Sequence, residues 1–223
     1  DWTEEVFQAF NFRPDAKFDE AAILRSWGEL DDYVDGMVAA RRDTLTDDLL
    51  SELIRAESEG ERLNLDELRG LVAGFLMAGT DTTRNQLAAS VQVLCEHPDQ
   101  WAKLRDHPEL AMQAVEETMR HSPAACIVPR AAVEDVEFAG YLFPAGTFVL
   151  ANTLAANRDP AIYNDADRFD ITRKDVPAIL TFGGGAHYCL RANLARRELA
   201  EALVVLTRRF STTHRNGPAP WKS

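Results

Sequence analysis

The sequence predicts a mainly α-helical fold with small β-sheet elements, and three features of its 223 residues support that prediction. Apolar residues recur three or four positions apart through the first two-thirds of the chain, which is helical spacing. After Pro123 this spacing gives way to short alternating runs that flank a turn, which is typical of strands. A helical pattern then returns near the end of the sequence.

The composition is that of an ordinary globular protein, with 46% hydrophobic and 27% charged residues. The net charge of -12 argues against nucleic acid as a partner, because binding a polyanion requires clustered Lys and Arg. No apolar run is long enough for a bilayer, and the first residues are acidic where a signal peptide would be positive. The three scattered cysteines indicate a reducing compartment. We therefore expect a cytoplasmic protein with no membrane partner.

Several helices are predicted over residues 1–63. The spacing favours a helix over 20–42 and another over 47–58, followed by a Gly-containing turn at 59–62. The first of these should bury one apolar face, formed by Leu24, Trp27, Leu30, Val34, Met37 and Val38.

A long helix is predicted over 64–95, because Asn64 stands three residues before Glu67 in a pattern like a capping box. Further helices should follow over 96–121. Pro98 and Pro108 each stand where such a helix would begin, since proline is favoured in the first turn.

Short strands and an irregular segment are expected over 122–180. The runs 136–138 and 147–150 flank a turn at 144–146, which predicts antiparallel strands. Residues 155–180 show neither helical nor strand periodicity, and so long a loop inside a compact domain is usually functional. A glycine-rich loop and a final helix, from about Leu190 to Arg209, are expected over 181–209.

The loop Phe182-Gly-Gly-Gly-Ala-His-Tyr-Cys189 carries the strongest chemical signal. Its glycines permit a tight turn and a close approach to a flat ligand. Cys189 stands just before a helix, whose N-terminal N–H groups favour a thiolate over a thiol. A buried cysteine in a glycine-rich turn is an alternative. A phosphate-binding loop is another, although the Lys-Ser or Lys-Thr that it requires is not present.

This segment resembles the haem-binding loop of the cytochrome P-450 family, F-G-x-G-x-H-x-C-x-G-x-x-L-A-R. The resemblance implies haem b as cofactor, with the Cys189 thiolate as axial ligand of the iron. The chain would form the C-terminal portion, 1–223, of a single cytochrome P-450 domain whose N-terminal half is absent. The positions that match the pattern are Phe182, Gly183, Gly185, His187, Cys189, Leu194, Ala195 and Arg196.

The family's oxygen-binding helix carries A-G-x-D-T-T, which is present here as residues 78–83. Small side chains at Ala78 and Gly79 would leave room for a diatomic ligand beside the haem. The resemblance makes Asp81 and Thr82 the catalytic residues. Thr82 would hydrogen-bond bound O2, and Asp81 would help to deliver protons. Without the family, two surface threonines and an exposed Asp would be the simpler interpretation.

The family's E-x-x-R motif is matched by Glu117 and Arg120, which lie three residues apart on one helical face. The resemblance adds Arg168 from the irregular segment, and the three would form a structural triad that holds the segment before the Cys loop. It also makes Arg130 a partner of a haem propionate and 122–129 the segment that passes over the haem and touches substrate. His187 is a second candidate for a propionate, or else an uncharged histidine of the loop.

Two departures from the family matter. Arg191 stands where the family has a glycine close beneath the porphyrin, and we expect it to weaken haem retention or to change the hydrogen bonds to sulfur. The N-terminal half is missing, which leaves a trimmed or partial sequence and a truncated gene both open.

The resemblance implies a monooxygenase that activates O2 and inserts one oxygen atom into an apolar small molecule. Its electrons would come from NAD(P)H through a ferredoxin or a flavoprotein reductase. Five arginines in 191–209, against two glutamates, give a basic excess that suits an acidic partner or is simply a solvated helix face. The alternatives are a non-catalytic haem-binding fragment and a helical interaction module without a cofactor.

Overall fold

The computed structural model describes residues 2–10, 17–58, 63–174 and 177–217. The predicted turn at 59–62 lies outside these ranges. The helices are α1 (Trp2–Val6), α2 (Glu20–Arg42), α3 (Leu49–Ser58), α4 (Leu65–Glu96), α5 (Pro98–Asp106), α6 (Ala111–His121), α7 (Thr153–Ala156) and α8 (Ala192–Arg209). The strands are β1 (Ile127–Ala131), β2 (Val136–Phe138), β3 (Tyr141–Phe143) and β4 (Phe148–Asn152).

The chain divides into two compact units, Asp1–Asp81 and Thr82–Ser223. The division falls inside α4, so the first part of this helix belongs to one unit and the rest to the other. Among the described residues, no helix is both long enough and apolar enough to cross a membrane.

The core of the first unit forms around α2. The helix starts at its N-cap Asp19, whose side chain accepts a hydrogen bond from the N–H of Ala22 at 3.0 Å. The predicted apolar face of α2 is only partly correct. Leu24 and Trp27 are 64% and 41% exposed, because the buried stripe runs along a neighbouring line of the helix. That stripe consists of Ser26, Leu30, Val34 and Val38.

The predicted capping box of α4 is confirmed. The N–H of Glu67 donates to the Asn64 side chain at 2.9 Å, and the N–H of Asn64 donates to the Glu67 carboxylate at 2.8 Å. Each side chain thus satisfies a main-chain donor that the first turn leaves free, which fixes where the long helix begins.

The second unit packs α5 and α6 against α8. Trp101 of α5 and Leu203 of α8 are almost fully buried there, together with Val115 of α6. The indole N–H of Trp101 donates to the main-chain oxygen of Phe210 at 3.0 Å, so the segment after α8 is held against α5. This packing places α6 against α8, the helix that follows Cys189.

The strands lie where the sequence predicts, but their pairing differs from the expected hairpin. The strand Val136–Phe138 pairs with Tyr141–Phe143 across a tight turn, and Phe148–Asn152 pairs instead with Ile127–Ala131. The tight turn is made by Ala139 and Gly140, both with positive φ, which is typical of a two-residue hairpin loop. The turn at 144–146 therefore connects two separate two-stranded sheets.

The irregular segment is confirmed. Between the end of α7 at Ala156 and a short 3-10 turn at Leu180–Phe182, the described residues contain no helix or strand. The final helix begins at Ala192, two residues later than expected, because Leu190 and Arg191 form a turn in front of it.

Candidate functional site

The loop from Phe182 to Cys189 is closed by main-chain hydrogen bonds. The N–H of Cys189 donates to the oxygen of Phe182 at 3.0 Å, and the N–H of Tyr188 donates to the oxygen of Gly185 at 3.1 Å. Gly183 and Gly185 have φ angles of +73° and +63°, which side-chain-bearing residues rarely adopt. Two of the glycines are therefore required by the backbone itself, before any ligand is considered.

Cys189 lies immediately in front of α8. The N–H of Ala192, the first residue of that helix, donates to the main-chain oxygen of Cys189 at 3.2 Å. The thiol is partly exposed and is not in a disulfide. The free N–H groups of the first helical turn favour negative charge in front of them, so the position suits a thiolate.

Arg196 joins this loop to two helices. Its guanidinium forms an ion pair with Glu116 of α6 and is only 16% exposed. The same group donates to the Tyr188 hydroxyl at 3.0 Å and lies over the ring of Phe182, 4.4 Å from its centroid. From the sequence, Arg196 was expected to match the family pattern and to add to the basic excess of 191–209. Its contacts hold both ends of the loop around Cys189.

Glu117 and Arg120 form the predicted pair. The Arg120 guanidinium donates to both carboxylate oxygens of Glu117, at 2.7 and 2.9 Å, and the two side chains are 1% and 4% exposed. Arg120 also donates to main-chain oxygens of the irregular segment, at Asn157, Ala166 and Arg168, at 2.7 to 3.1 Å. The buried pair therefore holds the irregular segment in place through the hydrogen bonds of Arg120.

The third arginine beside the pair is Arg173, and the prediction of Arg168 needs correction. The Arg168 side chain is 65% exposed and pairs with Asp170, and only its main-chain oxygen meets Arg120. The Arg173 side chain is 13% exposed and its Nε lies 3.4 Å from the Glu117 carboxylate. The physical reason is the turn after Phe169. The N–H of Asp170 donates to Glu117 at 2.9 Å, which brings the following residues toward the pair.

Asn157 is a positioning residue that the sequence did not reveal. It is fully buried. Its side-chain oxygen accepts a hydrogen bond from the N–H of Leu180 at 2.8 Å, and its side-chain nitrogen donates to the hydroxyl of Thr181 at 3.0 Å. Thr181 in turn donates to the main-chain oxygen of Met119 at 3.0 Å. The start of the irregular segment is therefore tied to the residues directly before the Cys loop. A buried amide can only be found once the neighbours that satisfy it are known.

His121 follows Arg120 at the end of α6 and is partly buried beside Phe169, with ring centroids 5.4 Å apart. Burial lowers the pKa of His121, and the positive charges of Arg158 and Arg120 lower it further. Arg158 donates to the main-chain oxygen of His121. His121 is therefore harder to protonate than an exposed histidine.

The expected oxygen-binding motif lies on α4, which is helical throughout residues 78–83. Asp81 ends the first compact unit and Thr82 begins the second. The Thr80 hydroxyl donates to the main-chain oxygen of Leu76 at 2.8 Å, the backward bond that helical threonines commonly form. Ala78 and Gly79 lie on the turn before Thr82.

The two residues expected at haem propionates are exposed. Arg130 lies on β1 opposite Val149 and donates to the main-chain oxygen of Pro129 at 2.8 Å. His187 ends the short 3-10 turn Gly185–His187. Both side chains are open to a ligand, and their role at a propionate remains a prediction.

The chain is similar to known proteins in both sequence and structure. The family model described as Cytochrome P-450 matches residues 2–223. The chain belongs to the cytochrome P-450 family. It is 43% identical over 201 residues to luteothin monooxygenase of Streptomyces thioluteus, covering 90% of this chain and 49% of that protein. It is 44% identical over 180 residues to mycinamicin IV hydroxylase/epoxidase of Micromonospora griseorubida, covering 80% of this chain and 45% of that protein.

The cytochrome P-450 fold is also found by structure. The crystal structure of CalO2 superposes with a TM-score of 0.85 at 35% identity, covering 93% of this chain and 51% of that chain. The chain therefore spans about half the length of the relatives that it matches, and it is a partial cytochrome P-450 segment.

The donor set of this cytochrome P-450 segment fits a haem. A haem needs a single protein ligand on its thiolate side, and Cys189 supplies one in a loop whose glycines carry no side chain. A Cβ at Gly185 would meet no atom of the protein within 4 Å, so the space beside that glycine is open.

Arg191 does not strain the backbone of this cytochrome P-450 segment. Its φ of -97° and ψ of 12° are accessible to any residue, so the glycine of the family pattern is not required here for conformation. Any effect of Arg191 must come from the volume and charge of its side chain.

Proposed function

We propose that the protein is a haem-thiolate monooxygenase that inserts one atom of O2 into an apolar organic substrate. The observation that carries the proposal is the position of Cys189. It ends a loop that is closed by main-chain hydrogen bonds, and it lies just before α8. Family membership supplies the chemical context. A cytoplasmic location is part of the proposal and rests on the sequence features alone.

The proposed cofactor is haem b, with the Cys189 thiolate as axial ligand. When bound, the haem supplies O2 activation, and electron donation from a thiolate favours cleavage of the O–O bond. The residues proposed to contact it are Ala78, Gly79, Arg130, Phe182, Gly183, Gly185 and His187.

The chain's own residues are proposed to handle protons and to fix the loop. Asp81 and Thr82, one residue apart on α4, offer a carboxylate and a hydroxyl for proton delivery beside the haem. Glu117, Arg120 and Arg173 hold the segment that leads into the loop. Arg196 and Tyr188 hold the loop itself.

A redox partner is required, because the reaction consumes two electrons for each oxygen atom inserted. We propose a ferredoxin or flavoprotein reductase that is supplied by NAD(P)H. Arg197, Arg208 and Arg209 of α8 are exposed and would attract an acidic surface. Arg196 does not contribute to this face, since its charge is paired with Glu116.

The substrate is proposed to be apolar near the segment 122–126, whose Ala124, Ala125 and Cys126 present small side chains. The two relatives bear different names, one a monooxygenase and the other a hydroxylase/epoxidase. Their substrates therefore do not transfer to this chain.

The test is the absorption spectrum of the haem-loaded protein, reduced with dithionite under carbon monoxide. We expect the strongly red-shifted Soret band of a thiolate-ligated haem. The Cys189→Ser variant should lose that band, whereas the matched variants Cys95→Ser and Cys126→Ser should keep it. A band at the usual histidine-haem position in the parent protein would contradict the proposal. A red-shifted band without substrate oxidation, when a ferredoxin, its reductase and NAD(P)H are supplied, would favour a non-catalytic haem binder.

A further inference from the structure

The segment Ser122–Cys126, between α6 and β1, is held by the side chain of Gln86. The Gln86 carbonyl accepts a hydrogen bond from the N–H of Ala124 at 2.8 Å. Its amide nitrogen donates to the main-chain oxygen of Ser122 at 3.2 Å. Gln86 is only 5% exposed, so its side of both bonds is shielded from water. One side chain therefore satisfies a donor and an acceptor of the same short segment.

Gln86 is also contacted by the buried hydroxyl of Ser90, which links it to α6. The Ser90 hydroxyl lies 2.8 Å from the main-chain oxygen of Gln86 and 2.9 Å from the Thr118 hydroxyl of α6. The Gln86 amide also lies 3.4 Å from the Ser90 hydroxyl. The Gln86 amide therefore has a second polar contact besides its bond to Ser122.

The far end of the segment is held from the opposite side. The Thr153 hydroxyl donates to the main-chain oxygen of Ala125 at 3.1 Å. The N–H of Thr153 donates to the main-chain oxygen of Cys126 at 2.9 Å. The segment is thus fixed between α4 and the start of α7, with Gln86 as its anchor on the α4 side.

The position of Gln86 along α4 links this anchor to the proposed catalytic motif. Gln86 follows Thr82 by four residues, which is about one helical turn, so the two side chains project from the same face of the helix. Both lie in the second compact unit, as does the segment Ser122–Cys126.

We propose that Gln86 is a positioning residue that fixes Ser122–Cys126 on α4 and thereby sets which ligands fit beside Ala124 and Ala125. The proposal rests on the proposed function, since the segment meets a ligand only if haem and substrate bind beside it. Glutamine is suited to this task because it carries a donor and an acceptor on one planar group. Leucine has a similar volume and neither group, and an ionised glutamate lacks the donor.

The first test needs no haem. Amide hydrogen exchange of Ala124 is measured in the parent protein and in Gln86→Leu, with Gln92→Leu on the same helix as the matched control. Gln86→Leu leaves two partly buried main-chain groups without this partner, so exchange at Ala124 should accelerate about tenfold. The Gln92→Leu control should leave exchange at Ala124 unchanged. Gln86→Glu keeps the acceptor, so its exchange rate should lie between those of the parent protein and Gln86→Leu. Unchanged exchange in Gln86→Leu would overturn the proposal.

The second test compares two probes of the haem-loaded protein by spectral titration, imidazole and the larger 4-phenylimidazole. The dissociation constant of 4-phenylimidazole should rise by about three- to tenfold in Gln86→Leu, while that of imidazole should change less than twofold. A change of both constants by one factor would mean a general loss of structure and would overturn the role in ligand selection. A parent protein that binds no haem would overturn the proposed function and, with it, this role. The exchange measurement would still decide whether Gln86 holds the segment.

Discussion

The guanidinium of Arg196 lies over the ring of Phe182, with its central carbon 4.4 Å from the ring centroid. Phe182 opens the loop that ends at Cys189, and Arg196 lies about one turn into α8. The same guanidinium meets the hydroxyl of Tyr188 and the carboxylate of Glu116. The two ends of the loop and the helix behind it are therefore fixed by one planar cation, a role that suits arginine because it can stack and bond at once.

We expect Arg196→Lys to weaken haem retention. A lysine keeps the charge but cannot stack on Phe182 while bonding both Tyr188 and Glu116, so the loop gains freedom. The affinity should fall by about tenfold, as judged by haem transfer to an apo-globin acceptor. Tyr188→Phe removes only one hydrogen bond and should have a smaller effect. Equal haem loss from Arg196→Lys and the parent protein would show that the stacked arrangement does not hold the loop.

Removing the charge of Glu117 should be strongly destabilising. Glu117→Gln leaves the buried guanidinium of Arg120 without its carboxylate, and breaking such a pair costs about 3–5 kcal/mol. The control is Glu52→Gln, which removes an exposed ion pair with Arg55 and should cost less than about 1 kcal/mol. Urea unfolding followed by circular dichroism measures both. Similar losses for the two variants would contradict the role of the buried pair.

Arg168 and Arg173, both in the irregular segment, should differ in how much they contribute to stability. Arg173→Ala removes the bonds of its guanidinium to Glu117 and to the main-chain oxygens of Asn164, Asp165 and Arg168. It should cost about 2–3 kcal/mol of stability, because charged hydrogen bonds are lost in a mostly buried place. Arg168→Ala removes an exposed pair with Asp170 and should cost less than about 1 kcal/mol. If Arg168→Ala lowered the thermal unfolding temperature more than Arg173→Ala, Arg168 would be the third member of the triad after all.

Stability should fall in acid because of His121. The unfolded chain protonates this histidine near pH 6.5, and the folded chain only at lower pH, since burial, Arg158 and Arg120 lower the pKa. Protonation therefore favours unfolding. The contribution of the neutral ring to the free energy of unfolding is complete above about pH 6.5. It is lost as the pH falls from there through the lower pKa of the folded state. His121→Phe should flatten the stability profile below about pH 6.5. A parallel slope in His121→Phe and the parent protein would refute this.

Sequence patterns predicted those elements whose signals are local. The start of α4 is an example, because Asn64 and Glu67 satisfy each other within one turn. The pairing of the strands was mistaken, since Ala139–Gly140 and the turn at 144–146 both look like hairpin turns and only long-range packing decides between them. Arg173, Asn157 and Gln86 were missed for a related reason. Each bonds to main-chain groups that are distant in sequence, and no spacing rule encodes those.

Arg191→Gly should raise haem occupancy. The backbone at Arg191 adopts angles open to any residue, and glycine is well tolerated at a helix N-cap, so the change removes volume and charge without strain. The ratio of haem to protein after reconstitution measures the effect, with Arg191→Ala as the comparison. If the side chain is the obstacle, both variants should gain, and glycine should gain more because it permits the closest approach of a flat ligand. Unchanged occupancy in both would mean that the loop accommodates an arginine beneath the haem, and that the glycine of the family pattern serves another purpose.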